Sequence, residues 1–199
     1  MRILLIGATG RLGSALHKAL GARGHEIVTV SRNAGDLRID FTDPAQVTEM
    51  YDRAGALDAV AVAAGPVPYR RVVEMTPDDY LAAFRGKVLS QIEVVRQGAG
   101  RIAERGSFTL ISGVLGREPV VTASAAAMAN GALEAFVRAA AIELAPRRVN
   151  VVSPTVFTEC AAEYDRLFPG MEPVDLARVA MAYVNSIEGA HTGRVYRLG

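Results

Sequence analysis

Short apolar runs alternate with amphipathic segments along the whole chain. The first run, residues 3–6, ends at a glycine and predicts a strand buried on both faces of a sheet. The segment after it repeats apolar residues at helical spacing, through Leu12, Leu16 and Leu20, and then ends at glycines. Further runs of the first kind predict strands over residues 27–30, 37–39, 58–63, 108–111, 149–152 and 194–198.

Helix-start signals stand between these runs. Asp43 precedes Pro44, which places a capping carboxylate before a proline at the first helical position. Residues 76–79, Thr-Pro-Asp-Asp, cap a long helix, and two more helices are predicted over residues 123–144 and 173–187. Strand–helix alternation without a linker or repeat is typical of βαβ units. We therefore expect one α/β domain over the whole chain, with a parallel sheet and helices on both faces.

Composition excludes several classes of protein. The 22 basic and 21 acidic side chains leave a net charge of +1, which gives no electrostatic basis for binding nucleic acid or an anionic membrane. Hydrophobic residues make up 50% of the chain, which excludes a disordered protein. The single cysteine, Cys160, excludes a disulfide framework, and His17, His25 and His191 are too scattered for a metal site.

No segment has the pattern of an export signal or a membrane span. The apolar run at residues 3–6 is shorter than the roughly 7–15 residues that a signal peptide needs. No uninterrupted apolar stretch reaches about 18 residues, because Asn130 and Glu134 break the longest candidate, residues 120–137. We therefore expect a soluble, cytoplasmic protein.

A glycine-rich loop, Gly-Ala-Thr-Gly-Arg-Leu-Gly at residues 7–13, joins the first strand to the first helix. Its glycines permit a tight turn, a close approach of backbone to a pyrophosphate, and close helix–strand packing. A tight turn without a ligand is the alternative, but the position in the first βα unit favours dinucleotide binding. The residues expected to contact the cofactor here are Gly7, Thr9, Gly10, Arg11, Leu12 and Gly13.

The residues at the end of the second strand bear on the choice of cofactor. A free ribose 2′-hydroxyl is usually bound there by a carboxylate, whereas this chain has Ser31 and Arg32. A guanidinium pairs well with phosphate, and Arg11 in the glycine loop could add a second cation. This pattern favours NADP over NAD. The alternative is a solvated arginine at a strand end.

Several motifs resemble those of the short-chain dehydrogenase/reductase family, over nearly the whole chain. Besides the glycine loop, Ile-Asp-Phe at 39–41 resembles the family's adenine-contacting aspartate, and Ala-Ala-Gly at 63–65 resembles its Asn-Ala-Gly stretch. The most specific match runs from the helical segment 131–144 into Arg-Val-Asn-Val-Val-Ser-Pro at 148–154. The resemblance implies a doubly wound Rossmann fold with strand order 3-2-1-4-5-6-7. It also implies cofactor contacts from Asp40, Ala63, Ala64, Gly65, Pro154, Thr155, Val156 and Thr158.

The catalytic Tyr-x-x-x-Lys pair of that family is missing from this chain. The alignment places Ala126 at the tyrosine position and Asn130 at the lysine position, and no tyrosine lies between Tyr80 and Tyr164. An alanine has no proton to give, so the family's usual mechanism is absent. The chain resembles a shorter branch of the family, in which an alanine-rich stretch and Asn-Gly stand in place of the pair.

Three residues are candidates for the remaining chemistry. Ser112, one residue before the family's catalytic serine position, is expected at the carboxyl edge of the sheet, where it either binds a substrate carbonyl or only bonds backbone. Asn130 is a candidate for binding a ribose hydroxyl. Lys87, where the family has an asparagine, is either a substitute cation or a solvated helix lysine. Tyr69 is the nearest proton donor in the topology, and Cys160 has no evident activating neighbour.

These features support three functions. The first is an atypical NADP-dependent oxidoreductase that acts on a carbonyl or alcohol group of a small molecule, with protonation by a nonstandard residue or by water. The second is an NADP-binding protein without turnover, such as a redox sensor, and the third is a lyase or isomerase that uses the same pocket. Members of the family commonly pair their long helices across a two-fold axis, so the alanine-rich segment 123–141 predicts a homodimer or homotetramer.

Overall fold

The computed structural model describes residues 1–199, and its centre is a parallel sheet of seven strands. The strands are β1 Arg2–Ile6, β2 Glu26–Ser31, β3 Leu37–Arg38, β4 Leu57–Val62, β5 Ile102–Ile111, β6 Arg148–Pro154 and β7 Val195–Leu198. Their order is β3-β2-β1-β4-β5-β6-β7, and every neighbouring pair is parallel. The order reverses between β1 and β4, so the fold is doubly wound and the predicted topology is confirmed.

Seven α-helices flank the sheet. They are α1 Arg11–Gly21, α2 Pro44–Ala54, α3 Pro77–Ala83, α4 Ser90–Gly98, α5 Ser124–Glu143, α6 Ala161–Tyr164 and α7 Leu176–Glu188. Single 3₁₀ turns lie at Val72–Glu74, Val114–Gly116 and Thr158–Cys160, and a π-helical turn, Phe84–Leu89, joins α3 to α4. On one face of the sheet α1 packs against α7, and on the other α2 packs against α4, as right-handed crossovers on the two sides of β1 require.

The predicted helix caps are present. At the start of α2 the Asp43 carboxylate accepts a hydrogen bond from Ala45 N at 2.9 Å, and Pro44 is the first helical residue. At the start of α3, Thr76 Oγ1 accepts from Asp79 N at 3.2 Å while the Asp79 carboxylate accepts from Thr76 N at 3.0 Å. This reciprocal capping box fixes where the long helix begins.

Two elements start three or more residues away from the expected position. β5 begins at Ile102 and not at residue 108, because residues 103–105 are exposed and residues 103–107 lack the apolar pattern on which the prediction rested. α7 begins at Leu176 and not at residue 173, because the Glu159 carboxylate accepts from Leu176 N at 3.1 Å. The segment after β6 therefore sets the start of α7.

The core follows the central strands. Ile3, Leu4 and Leu5 of β1 have no exposed surface, as a strand covered on both faces requires. Tyr183 of α7 is also fully buried, and its hydroxyl donates to Val62 O at 2.6 Å, which ties α7 to the carboxyl end of β4. None of the helices combines the length and apolar character that crossing a membrane requires.

Candidate cofactor and active site

The glycine loop lies between β1 and α1, and two of its glycines have no room for a side chain. Gly7 has a φ of 85°, a left-handed conformation that favours glycine, and a Cβ there would lie 2.9 Å from the Ala63 carbonyl. A Cβ on Gly13 would lie 2.1 Å from Gly7 O. At Gly10 the nearest protein atom would lie 3.5 Å away, so packing within the protein does not require that glycine. Gly10 instead borders two cavities.

The N-terminus of α1 is open to an anion. Gly10 is the N-cap residue, no side chain caps the helix, and its first turn holds no acidic residue. The N–H groups of that turn therefore lack partners within the helix, and the helix dipole adds partial positive charge. A terminus of this kind binds phosphate groups.

A cavity of about 370 Å³ lies between the glycine loop and the end of β2. Ile39 and Phe41 give it an apolar wall, and Ser31 and Arg32 also line it. The Arg32 side chain is exposed and makes no hydrogen bond or ion pair, so its guanidinium is free for a ligand anion. The Ser31 hydroxyl instead closes the following turn, since it donates to Ala34 O at 2.6 Å and accepts from Ala34 N at 3.1 Å.

Asp40 does not line this cavity, although the family resemblance implies a cofactor contact there. Its carboxylate accepts hydrogen bonds from Thr42 N at 3.0 Å and from Thr42 Oγ1 at 2.7 Å, in the turn before α2. Its two neighbours, Ile39 and Phe41, line the cavity in its place. The wall is therefore apolar at this point.

Arg11 does not join Ser31 and Arg32, which corrects the expectation of a second cation beside them. Its guanidinium donates to Cys160 Sγ at 2.6 Å and pairs with the Glu163 carboxylate at 2.6 Å. Both partners belong to the segment after β6, so Arg11 links the glycine loop to that segment. Cys160 does have a cationic neighbour, contrary to expectation.

A second cavity, of about 610 Å³, lies at the carboxyl edge of the sheet. The residues expected to bind a cofactor that line it are Gly10, Arg11, Leu12, Ala63, Ala64, Gly65, Thr155 and Val156. Thr155 N donates to Leu198 O at 2.8 Å, which anchors the turn after β6 to the last strand. Pro154 lines a smaller neighbouring cavity. Thr158 lines neither, and its N–H donates to Val174 O at 3.0 Å.

Lys87 is buried against this second cavity, so the alternative of a solvated helix lysine is wrong. The residue is 8% exposed, and its Nζ donates to Ser112 O at 3.1 Å. No carboxylate pairs with the amine, and burial lowers the pKa of Lys87 to about 8. The neighbouring strand end makes room for this side chain, because a Cβ on Gly65 would lie 2.9 Å from Lys87 Cγ.

Lys87 lies within the π turn, which takes one more residue than an α-helical turn. On this helical segment Lys87 and Gln91 are buried together with Val88 and Val95. The Gln91 amide donates to Ile111 O at 3.0 Å and accepts from Ile111 N at 2.9 Å. This exchange fixes the helix over the end of β5.

Ser112 is buried, and a carboxylate of α5 holds its hydroxyl. Ser112 Oγ donates to Glu134 Oε1 at 3.1 Å, and Ser153 Oγ donates to the same oxygen at 2.9 Å. Arg117 Nη1 in turn donates to Ser153 Oγ at 2.8 Å. Motif reasoning misses Glu134, whose only sequence signal is a carboxylate four residues after Asn130 on a largely apolar helix face.

Asn130 and Ala126 face a third cavity, of about 170 Å³, together with Lys87, Ser112 and Tyr69. The three predicted catalytic candidates are thus brought to one place. Asn130 is 2% exposed, and its side chain makes no hydrogen bond, which leaves Oδ1 buried without a partner. An unsatisfied buried amide costs about 1–3 kcal/mol, so this amide suits a bound molecule.

Tyr69 lines the same two cavities as Lys87 but is a weaker acid. It is 42% exposed and makes no hydrogen bond, and partial burial raises the pKa of its phenol. Burial acts in the opposite direction on the amine, whose charged form is the protonated one. Lys87 is therefore the stronger acid of the two.

Comparison with known proteins identifies the family to which the chain belongs. The profile described as Enoyl-(Acyl carrier protein) reductase matches residues 12–189, most of the chain. The chain belongs to the short-chain dehydrogenase/reductase family. The resemblance read from its motifs is thereby confirmed.

Proteins similar to this family member match it over most or all of its length. Versicolorin reductase stcU of Emericella nidulans is 29% identical, over 89% of this chain and 86% of its own length. The crystal structure of the protein lin1944 from Listeria innocua has 38% identity over 100% of both chains and a TM-score of 0.97. A small-chain dehydrogenase crystallised in complex with NADPH has 29% identity and a TM-score of 0.88, over 100% of this chain and 96% of its own.

In this short-chain dehydrogenase/reductase member, neither of the α5 residues that line the third cavity is an acid. Ala126 presents only a methyl group to the smallest cavity, and Asn130 presents an amide. The ionisable side chains that line this cavity are Lys87 and Tyr69. A reaction that needs a proton here must take it from one of these two residues or from water.

Proposed function

We propose that the protein is an NADPH-dependent reductase of a small carbonyl compound. The proposal rests on one observation. A single cleft contains the unpaired guanidinium of Arg32 in one part and the buried amine of Lys87 in another. The cavity beside Arg32 and the cavity beside Lys87 share Gly10, Ala63 and Ala64, so together they form one elongated cleft. An elongated cleft at the point where strand order reverses suits a dinucleotide.

The residues of the cleft fit NADPH. Arg32 would pair with the 2′-phosphate, and the open N-terminus of α1 at Gly10 would take the pyrophosphate. Thr155 and Val156 border the cleft near Lys87, where the nicotinamide end would lie. The related dehydrogenase that was crystallised with NADPH supports the same cofactor, and NADH is the weaker alternative. When bound, NADPH supplies a hydride.

The substrate would approach Lys87 through the third cavity, the one that Asn130 and Ser112 also line. That cavity shares Val114 and Thr155 with a surface cleft of about 720 Å³. The cleft has both apolar and acidic side chains, including Val120, Leu167, Met171, Glu118 and Glu172. Such walls suit a small organic molecule without negative charge. The name of the relative stcU, a reductase, supports reduction as the reaction.

An activity screen tests the proposal. The purified protein is mixed with NADPH or NADH and a panel of aldehydes, ketones and quinones, and the nicotinamide absorbance is followed. We expect oxidation of NADPH with at least one carbonyl class, and slower oxidation of NADH. A protein that binds NADPH by calorimetry, yet oxidises it with no member of the panel, contradicts the reductase.

One observation favours a second candidate, an NADP-binding protein without turnover such as a redox sensor. Ala126 removes the family's proton donor while the residues of the cofactor cleft remain in place. A sensor of this kind would bind NADPH and NADP⁺ with different affinities and reduce no carbonyl. The same screen, paired with calorimetry of both forms, separates the two functions.

We further propose that the chain acts in the cytoplasm and assembles as a homodimer or homotetramer through its long helices. The outward face of α5 carries Met128, Ala135, Ala139 and Ile142, and Ile142 is 82% exposed. A helix face of small and apolar side chains in contact with water is typical of a helix–helix interface between subunits.

A further inference from the structure

The chain uses lysine only twice. Its 22 basic side chains are 20 arginines and two lysines, Lys18 and Lys87. Lys18 is exposed on α1, whereas Lys87 is buried at the candidate active site. An arginine stays charged in any protein environment, but a lysine amine releases its proton readily when buried. Of the two lysines, the buried one is therefore the one that faces the cleft.

The Lys87 amine is held in place but only partly satisfied. Nζ donates one hydrogen bond, to Ser112 O at 3.1 Å, although an ammonium has three N–H donors. The side chain lines both the cofactor cavity and the small cavity that contains Asn130. The remaining donors are therefore available to a molecule bound between the two cavities.

No neighbouring charge neutralises this amine. The Glu134 carboxylate lies behind Ser112 and accepts from its hydroxyl, not from Lys87. The other titratable groups that line the two cavities with Lys87 are Arg11, Tyr69, Cys160, Glu163 and Tyr164. None of these groups forms an ion pair or hydrogen bond with Nζ, and Arg11 and Glu163 pair with each other. Burial therefore acts on the ammonium unopposed and lowers the pKa of Lys87 to about 8.

We propose that Lys87 Nζ is the proton donor of carbonyl reduction in this protein, in place of the tyrosine that position 126 lacks. This inference rests on the proposed reductase function. As the carbonyl carbon receives the hydride, the C=O π bond breaks and its electron pair on oxygen takes a proton from the ammonium. A C–H and an O–H bond form, the dinucleotide leaves oxidised, and the neutral amine regains a proton from water.

A direct titration of the two lysines provides a test that needs no turnover. Protein labelled with ¹³C,¹⁵N-lysine gives two side-chain signals, and Lys18→Arg leaves only the signal of Lys87. We expect Lys87 to titrate near about 8, below the roughly 10.4 of a lysine side chain in a model peptide. Titration of Lys87 near the model-peptide value of a lysine would overturn the inference.

Kinetics with NADPH and nitrobenzaldehyde or phenanthrenequinone tests the proton transfer itself. Wild-type turnover should fall as pH rises through about 8, because the ammonium is the acid. Lys87→Met should lower kcat by about 10²–10⁴-fold and remove this pH dependence. NADPH affinity, measured by calorimetry, should stay within about threefold, since the acid only assists the chemical step. Lys18→Met is the matched control and should leave kcat and its pH profile unchanged.

The outcomes separate this inference from the proposed function. If wild type reduces a probe and Lys87→Met does so at the same rate with the same pH profile, the proton donor is not Lys87 and the reductase stands. If wild type binds NADPH but reduces neither probe nor any carbonyl of the panel, the reductase and the inference fall together. Should Lys87→Met fail to fold, Lys87→Arg keeps the charge without a releasable proton and should show the same loss of turnover.

Discussion

Arg32 and Lys87 are both cations in one cleft, but burial gives them different chemistry. Arg32 is exposed and unpaired, so its fixed charge suits a phosphate at the mouth of the cleft. Lys87 is buried without a carboxylate partner, so its charge depends on pH in the neutral range. One residue therefore suits binding and the other suits proton transfer.

Replacing Arg32 should change the choice of cofactor. One charge-assisted contact to a 2′-phosphate is worth roughly 1.5–3 kcal/mol, so Arg32→Ala should weaken NADPH binding by about ten- to a hundredfold. NADH lacks that phosphate, and its affinity should hardly change. Calorimetric titration of both cofactors measures this, with Arg105→Ala as the control, since Arg105 is exposed in the first half of β5. Equal affinities of wild type for NADPH and NADH would count against NADP as the cofactor.

The glycine loop offers a matched pair of substitutions. Gly13→Ala places a Cβ 2.1 Å from Gly7 O, so the loop or helix must shift, and we expect the free energy of unfolding to fall by about 1–3 kcal/mol. Gly10→Ala meets its nearest atom at 3.5 Å and should lower stability by less than about 1 kcal/mol. Urea denaturation measures both, and equal losses would show that the close approach at Gly13 does not matter.

At the scale of helices and strands, most of the correct predictions come from the spacing of hydrophobic residues along the chain. The βαβ alternation predicts a parallel sheet, and the family resemblance implies its strand order. The glycine loop and Arg32 could be placed from the sequence because each lies at a predicted strand end. The burial of Lys87, which lies in the π turn at Phe84–Leu89, leaves no signal in the apolar spacing. Glu134 and Ser112 meet only because α5 and β5 pack in three dimensions. Contacts of this kind do not follow from one-dimensional patterns.

The ends of α1 and α7 are joined by an ion pair that should depend on pH. Glu188 pairs with Arg23 at 2.5 Å and contacts His25 at 2.8 Å, and the hydrogen bond from Arg23 lowers the pKa of Glu188 to about 2. An unfolded glutamate titrates near about 4.3, so the ionised carboxylate stabilises the fold above that pH, and this stabilisation is lost as pH falls toward about 2. Because the pair is partly exposed, Glu188→Gln should cost at most about 1 kcal/mol at neutral pH.

Urea denaturation of wild type and Glu188→Gln across the acid range checks this prediction. The difference between the two proteins should shrink as the wild-type carboxylate becomes protonated. Glu143→Gln is the control, because Glu143 ends α5, is exposed and forms no ion pair. A stability difference that stays constant down to acid pH would show that the ion pair is not its cause.

At the scale of the whole molecule, the cleft and the proposed subunit interface lie in different parts of the fold. The cleft lies at the carboxyl edge of the sheet, next to the reversal of strand order between β1 and β4. Helix α5 contributes residues both to the cleft and to the proposed interface. Its inner face supplies Asn130 and Glu134 to the site, and its outer face carries Ala135 and Ile142. Pairing through the outer face would therefore stiffen the helix that supports the active site.

The proposed pairing of subunits can be tested by measuring the mass of the particle in solution. Light scattering at micromolar concentration should give wild type a mass of twice or four times 21.1 kDa. Ala135→Glu with Ile142→Lys puts two charges on the outer face of α5, and burying them against a partner helix costs more than the contact returns, so this variant should be monomeric. Met181→Lys is the control, because Met181 is 55% exposed on α7, away from the proposed interface. A wild-type particle of 21.1 kDa, or a double variant with unchanged mass, would show that α5 does not form the interface.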